Sequence, residues 1–270
     1  MAIRMLQHRS RAPVPGATLP RLLARLEALE PVQPTQAPAD LLGDWLDWQR
    51  AVALSRALDD VPQAPEPEAA EHAGMTPDGT ASACGPDAPA ALASGVLERR
   101  AALVDAIEDD ARDWTRPLRP RPGEDGMGAA AGAGVVQRHC QGLQRDLQSA
   151  TGRLRGELRE QLAQRGGGKA RLAAVDAVME GLLAPREHAL LVPVVPALVA
   201  RFERLHALHA GADAGADADA NANAAAPGTP AAWRDRFRAE ARQVLLAELD
   251  LRFQPIEALL AALRNPGPDA

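Results

Sequence analysis

Tyrosine is absent from this 270-residue chain, phenylalanine occurs three times, and valine plus isoleucine number 18. Residues that favour a pleated sheet are therefore scarce, which excludes a β-sandwich, a barrel or a doubly wound sheet. Cysteine occurs twice. Cys84 lies in a Gly/Pro-rich stretch and Cys140 in a helical pattern. With no CxxC spacing, neither a disulfide framework nor a structural zinc site is implied. Of the 30 basic residues only Lys169 is a lysine. Such a bias, beside abundant Ala, is the imprint of a GC-rich coding sequence, so an Arg here is not by itself a phosphate-binding fork. A long apolar run is also missing. Ala189 to Ala200 spans 12 residues and contains Pro193 and Pro196; the reading is that it is too short to cross a bilayer. The N-terminus lacks the apolar segment of a secretory signal, so the expected setting is cytoplasmic.

What the chain has is Ala (58 residues), Leu (35) and many Arg, Glu and Gln, the strongest helix formers. Without Ala, about a quarter of the chain is strongly apolar, so the core should be smaller than the length suggests. The expected fold is an all-α bundle of about seven helices interrupted by long Ala/Gly/Pro/Asp-rich disordered insertions.

Leu19, Leu22, Leu23, Leu26 and Leu29 recur at helical intervals behind Thr18. Pro31 and Pro34 stop that helix, and Asp40 is a cap candidate for a second one carrying Leu41, Leu42, Trp45, Trp48, Val52 and Leu58. The two read as an antiparallel hairpin over 18–58, preceded by a basic arm, so that 1–58 forms one unit. Residues 59–91 carry seven acids and no Lys or Arg, which predicts a disordered acidic linker. A main bundle is expected over 92–270. Its longest element follows Val136, Cys140, Leu143, Leu147, Leu154, Leu158 and Leu162, a heptad-like stripe suited to a coiled coil or to self-association through 136–162. Disordered loops are expected at 117–134 and 211–228. Pro185 should kink or end the helix that starts near Lys169, and Pro255 should punctuate the last helical stretch.

Candidate chemistry is thin. Asp109-Asp110-Ala111-Arg112-Asp113 spells the DDxxD of diphosphate-binding helices, but Asp176 with Glu180 is a poor second cluster. Gly166-Gly167-Gly168-Lys169 lacks the remaining residues of a phosphate loop. His206 and His209 share a helix face near Glu203, with no further Cys or His cluster to complete a metal site. Adjacent His139 and Cys140 point about 100° apart on a helix. No serine sits in a nucleophile-elbow context. The expectation is a non-enzymatic protein with no cofactor or metal. Residues 135–171 carry eight cations against three acids. This offers a nucleic-acid-associated role as the alternative, without the aromatic interleaving that would support it. Trp45 and Trp48 are either core anchors or a hot spot for a partner, and Arg145, Arg153 and Arg159 are the candidate contacts on the basic helix.

Three blocks then stand out: Leu41-Leu42-Gly43-Asp44-Trp45-Leu46-Asp47-Trp48 continuing to Leu58, Ala174 to Glu180, and Val195-Pro196-Ala197-Leu198 with Arg201-Phe202-Glu203-Arg204-Leu205. With Leu245 to Arg252 they resemble, in the same order, a proteobacterial family of unknown function catalogued under number 3348. The resemblance brings no assigned activity and no functional residues. It implies a genomic setting beside stator-like proton-channel proteins and OmpA-like envelope proteins. The expected role is thus a cytoplasmic helical adaptor acting through protein contacts in an envelope apparatus.

Overall fold

The computed structural model describes residues 18–27, 43, 45–59, 88–113, 128–216 and 232–265. Among these, helix is the only regular secondary structure, so the all-α class holds. The helices are α1 (Thr18–Glu27), α2 (Trp48–Asp59), α3 (Ala88–Asp113), α4 (Gly128–Ala163), α5 (Gly167–Leu191), α6 (Val194–Ala216) and α7 (Ala232–Arg264).

The 36-residue α4 is the axis of the bundle. At about 1.5 Å rise per residue it is long enough for three helices to pack along it, and α5, α6 and α7 do so. Val136, Cys140, Leu147, Leu158 and Leu162 are at most 1% exposed. The heptad-like stripe is therefore covered from within the chain. Phe202 on α6 meets Phe237 on α7 edge-on at 5.3 Å between ring centroids. Ile256, Leu259 and Leu263 extend the same core.

Three expectations change. First, the helices reach into the expected insertions: α3 starts at Ala88, α4 starts at Gly128 and α6 runs to Ala216. The residues gained are mostly alanine, and extending an existing helix needs no new nucleus. The rest of the acidic segment, 60–87, lies outside the described residues, as do 114–127, Cys84 and Trp114. Second, Pro255 does not end its helix, and of the two outcomes expected at Pro185, a kink or a stop, the stop does not occur. Pro costs about 3 kcal/mol inside a helix. Around Pro255, buried Phe253, Ile256 and Leu259 outweigh that cost. At Pro185 the carbonyl that must shift belongs to Gly181, which is exposed and has no side chain to resist. Third, α1 and α2 find different partners. α1 packs on α6 and α7, where Arg25 donates to Gln243 at 2.8 Å and Arg204 donates to the Leu26 carbonyl. α2 packs along α5. Leu19, Leu23 and Leu26 are covered better by the broad α6–α7 face than by a short helix.

At the α4–α5 turn, Gly166 and Gly167 have φ of 64° and 51°. Only glycine adopts this region freely, so the glycine run serves as a reversal between helices.

Candidate interaction surface and the ionic spine behind it

Asp47 positions the start of α2. Its Oδ1 accepts the Arg50 backbone N–H at 2.8 Å, and its carbonyl accepts that of Ala51 at 2.9 Å. Those groups would otherwise be unpaired at a helix N-terminus. Non-helical Leu46 and Asp47 separate Trp45 from α2, so the two indoles do not share one helical stripe. Trp45 is half-buried under the Arg186 guanidinium, 5.1 Å from its ring centroid. Trp48 is 82% exposed. The core-anchor reading fails for Trp48, the first residue of a helix that buries none of its own side chains.

α2 itself contributes no buried residue. It rests on α5 through the half-buried Ala51, Val52, Leu54 and Ala57. Leu182 of α5 is 2% exposed yet stands apart from the main core cluster. The α2–α5 layer is thus a shallow outer contact, built on α5.

Ion pairs tie α5 to the bundle. Arg155 of α4 makes a two-point contact with Asp176, and its Nη1 lies 3.5 Å from Glu180. Arg159 pairs with Glu180 and lies 3.7 Å from Asp176. Burial alone would lower the pKa of Arg155; the hydrogen bond to Asp176 and the charges of Asp176, Glu180 and Glu187 reverse this and raise it above the ordinary arginine value. Further along, Glu248 of α7 is 0% exposed. It accepts from Gln144 of α4 at 2.9 Å and from Arg252 at 2.9 and 3.1 Å. Arg252 also reaches Glu187 of α5 at 3.1 Å. Carboxylates of α5 therefore point inward, onto cations of α4 and α7.

A second clamp joins α6 to α7. Arg201 donates to both oxygens of Glu240, at 2.6 and 2.8 Å, and Arg236 adds a third bond at 3.1 Å. Burial would raise the pKa of Glu240, but these cations hold it below the ordinary glutamate range.

The remaining candidates stay apart. Arg159 is taken by α5, so it is not a free contact. Arg145 is exposed, with Nε donating to its own helix at the Gln141 carbonyl, and Arg153 is exposed. Both lie on α4, whereas the tryptophans lie with α5. His206 and His209 pack against Trp233 at 5.5 and 6.2 Å, His206 also against Phe202. Among the described residues no group of three His, Cys, Asp or Glu side chains could hold a metal ion. Asp109 is exposed; the side chains of Asp110 and Asp113 lie outside the described residues. His139 lines an open groove of about 500 Å³ with Arg138, Leu143 and Asp146, while Cys140 is fully buried.

Sequence reasoning missed the spine. In the sequence Asp176 with Glu180 reads as a poor ligand cluster and Arg159 as a candidate partner contact, while Arg155 is only one of the eight cations of 135–171. The available signal was their matched spacing: an Arg pair and a carboxylate pair, each four apart, on helices joined by a short turn. The membrane reading also needs amending. Gly167–Ala210, running through α5 and α6, is by length and composition apolar enough to cross a membrane. Such a stretch also occurs in core helices of water-soluble proteins.

The fold and surface define a helical bundle with an ion-paired interior and a lightly attached outer helix. The family model described as Protein of unknown function (DUF3348) matches residues 5–265, and the chain belongs to that family. No curated protein and no solved structure matches it.

Proposed function

We propose that this protein is a non-enzymatic helical adaptor, acting through protein contacts at the α2–α5 layer. The observation that carries this reading is Trp48: 82% exposed, on a helix that buries nothing of its own. An indole in water forgoes stabilisation of the order of 2 kcal/mol or more that burial would bring, and tryptophan is the residue most enriched at binding hot spots. The bundle behind it offers a firm base, since the carboxylates of α5 are pinned to α4 and α7.

Self-association through 136–162 has less support, because its apolar stripe already faces α5, α6 and α7. The nucleic-acid alternative loses Arg155 and Arg159 to internal pairs. A cytoplasmic setting at the cell envelope, with stator-like or OmpA-like proteins as partners, belongs to the same proposal.

The test is a photo-crosslinking amino acid in place of Trp48, expressed in the native cells. The expected result is a covalent adduct with a second protein, absent when the label replaces buried Leu147. Labelling confined to the chain itself contradicts the adaptor reading.

A further inference from the structure

We propose that the α2–α5 layer docks an acidic amphipathic helix of a partner protein. This deepens the adaptor reading and rests on it, adding the partner's chemistry.

Charge carries the argument. The carboxylates of α5 are Asp176, Glu180 and Glu187, and each is paired inward with Arg155, Arg159 or Arg252. The cations of α5 are Lys169, Arg171 and Arg186, none of which meets a carboxylate among the described residues. Around α2 the described charges balance, Arg50 and Arg56 against Asp47 and Asp59, so the surplus of positive charge comes from α5. A chain with a formal charge of −6 therefore presents a cationic layer here. An acidic partner would meet matching potential, whereas a basic one would be repelled.

Geometry supplies the rest. Trp45 sits under Arg186, close to the C-terminal end of α5. Ahead of Arg186 α5 has just over one further turn, so only the opposite direction gives α2 a helix to pack along. We infer that α2 runs antiparallel to α5, with Leu58 toward the Lys169–Leu172 end and Trp48 toward the Arg186 end. Trp48, Leu58 and Leu172 are 82%, 41% and 39% exposed. The 12 residues of α2 span about 18 Å, the length over which a partner helix lays down apolar residues at i, i+3/i+4 and i+7. The cations on α5 would then meet carboxylates flanking that stripe.

The probe is a synthetic amphipathic helical peptide with a Leu/Trp stripe flanked by Glu, against a twin with Lys at every Glu position. Labelled peptide is titrated with the full chain and followed by fluorescence anisotropy. The acidic peptide should bind saturably and about tenfold or more tighter than its twin, a difference that should shrink with salt. Trp48→Ala should weaken the acidic peptide about tenfold. Lys169→Glu with Arg171→Glu and Arg186→Glu should reverse the preference; Arg171→Glu alone is the milder variant should the triple change disturb folding. Equal binding of the twins, or binding of neither, overturns the proposal. So does dimerisation in sedimentation experiments that excludes the peptide, since the occupant would then be a second copy. If Trp48 crosslinks to a protein in cells while the twins are not distinguished, this inference fails and the adaptor reading survives. An absence of any Trp48 adduct removes the adaptor reading first.

Discussion

Arg155 holds Asp176 at two points across the α4–α5 interface, Nε to Oδ2 at 2.9 Å and Nη2 to Oδ1 at 2.7 Å. Both side chains are 12% exposed, so the pair lies where screening is weak and an orphaned charge is costly. Asp176→Ala leaves Arg155 facing Glu180 alone and should cost about 2–3 kcal/mol in urea denaturation. Arg155→Met together with Asp176→Leu should recover most of that, because removing both charges strands neither. A single-variant loss indistinguishable from zero would mean that the pair does not hold α5 in place.

Arg252 discriminates between its two carboxylates. Glu248 is fully buried and shared with Gln144, whereas Glu187 is 37% exposed. Glu248→Ala strands a buried guanidinium and an amide, and should cost about 3 kcal/mol. Glu187→Ala should cost about 1 kcal/mol or less. The reverse order of midpoints would show that the anchor lies on α5.

The α4 helix carries removable weaknesses. A Cβ placed on Gly152 or Gly156 meets nothing within 4 Å. Each glycine-to-alanine change should stabilise the fold by about 0.5–1 kcal/mol, chiefly by restricting the unfolded chain. Calorimetry should show higher thermal midpoints; a fall would mean that α4 is not continuous there.

Acid should loosen the α6–α7 clamp. The pKa of Glu240 is lower in the folded chain than unfolded, so its contribution is fully present above the ordinary glutamate range and is lost as pH falls through the folded value. Between about pH 7 and about pH 3 the parent should lose thermal midpoint more steeply than Glu240→Gln. Parallel curves would show that Glu240 adds nothing to the acid response.

Sequence patterning read the interior better than the surface. Leu19, Leu23, Val136, Leu147, Leu158 and Phe202 are buried as their spacing requires, because helical period and burial are one constraint. Helix ends were harder. Alanine serves linkers and helices alike, so composition placed the starts of α3 and α4 too late. Pro185 and Pro255 carry a local penalty whose outcome depends on packing that a sequence does not display. Trp48 was the most misleading residue. Its spacing from Trp45 reads as one stripe, and only the Asp47 cap between them separates the two. The charges of α5 were visible, but which way each would turn depended on the neighbouring helices.

The central claim is that Trp48 faces a partner and not the core, and paired measurements on Trp48→Ala test it most directly. The thermal midpoint should stay within about 1 °C of the parent, since an exposed side chain carries little folding energy. In parallel, the Trp48-labelled chain should crosslink to its partner in cells, and unlabelled parent chain in excess should suppress that adduct while the Trp48→Ala chain should not. A midpoint lowered by several degrees, with equal suppression by both chains, would place Trp48 in the core and contradict the account.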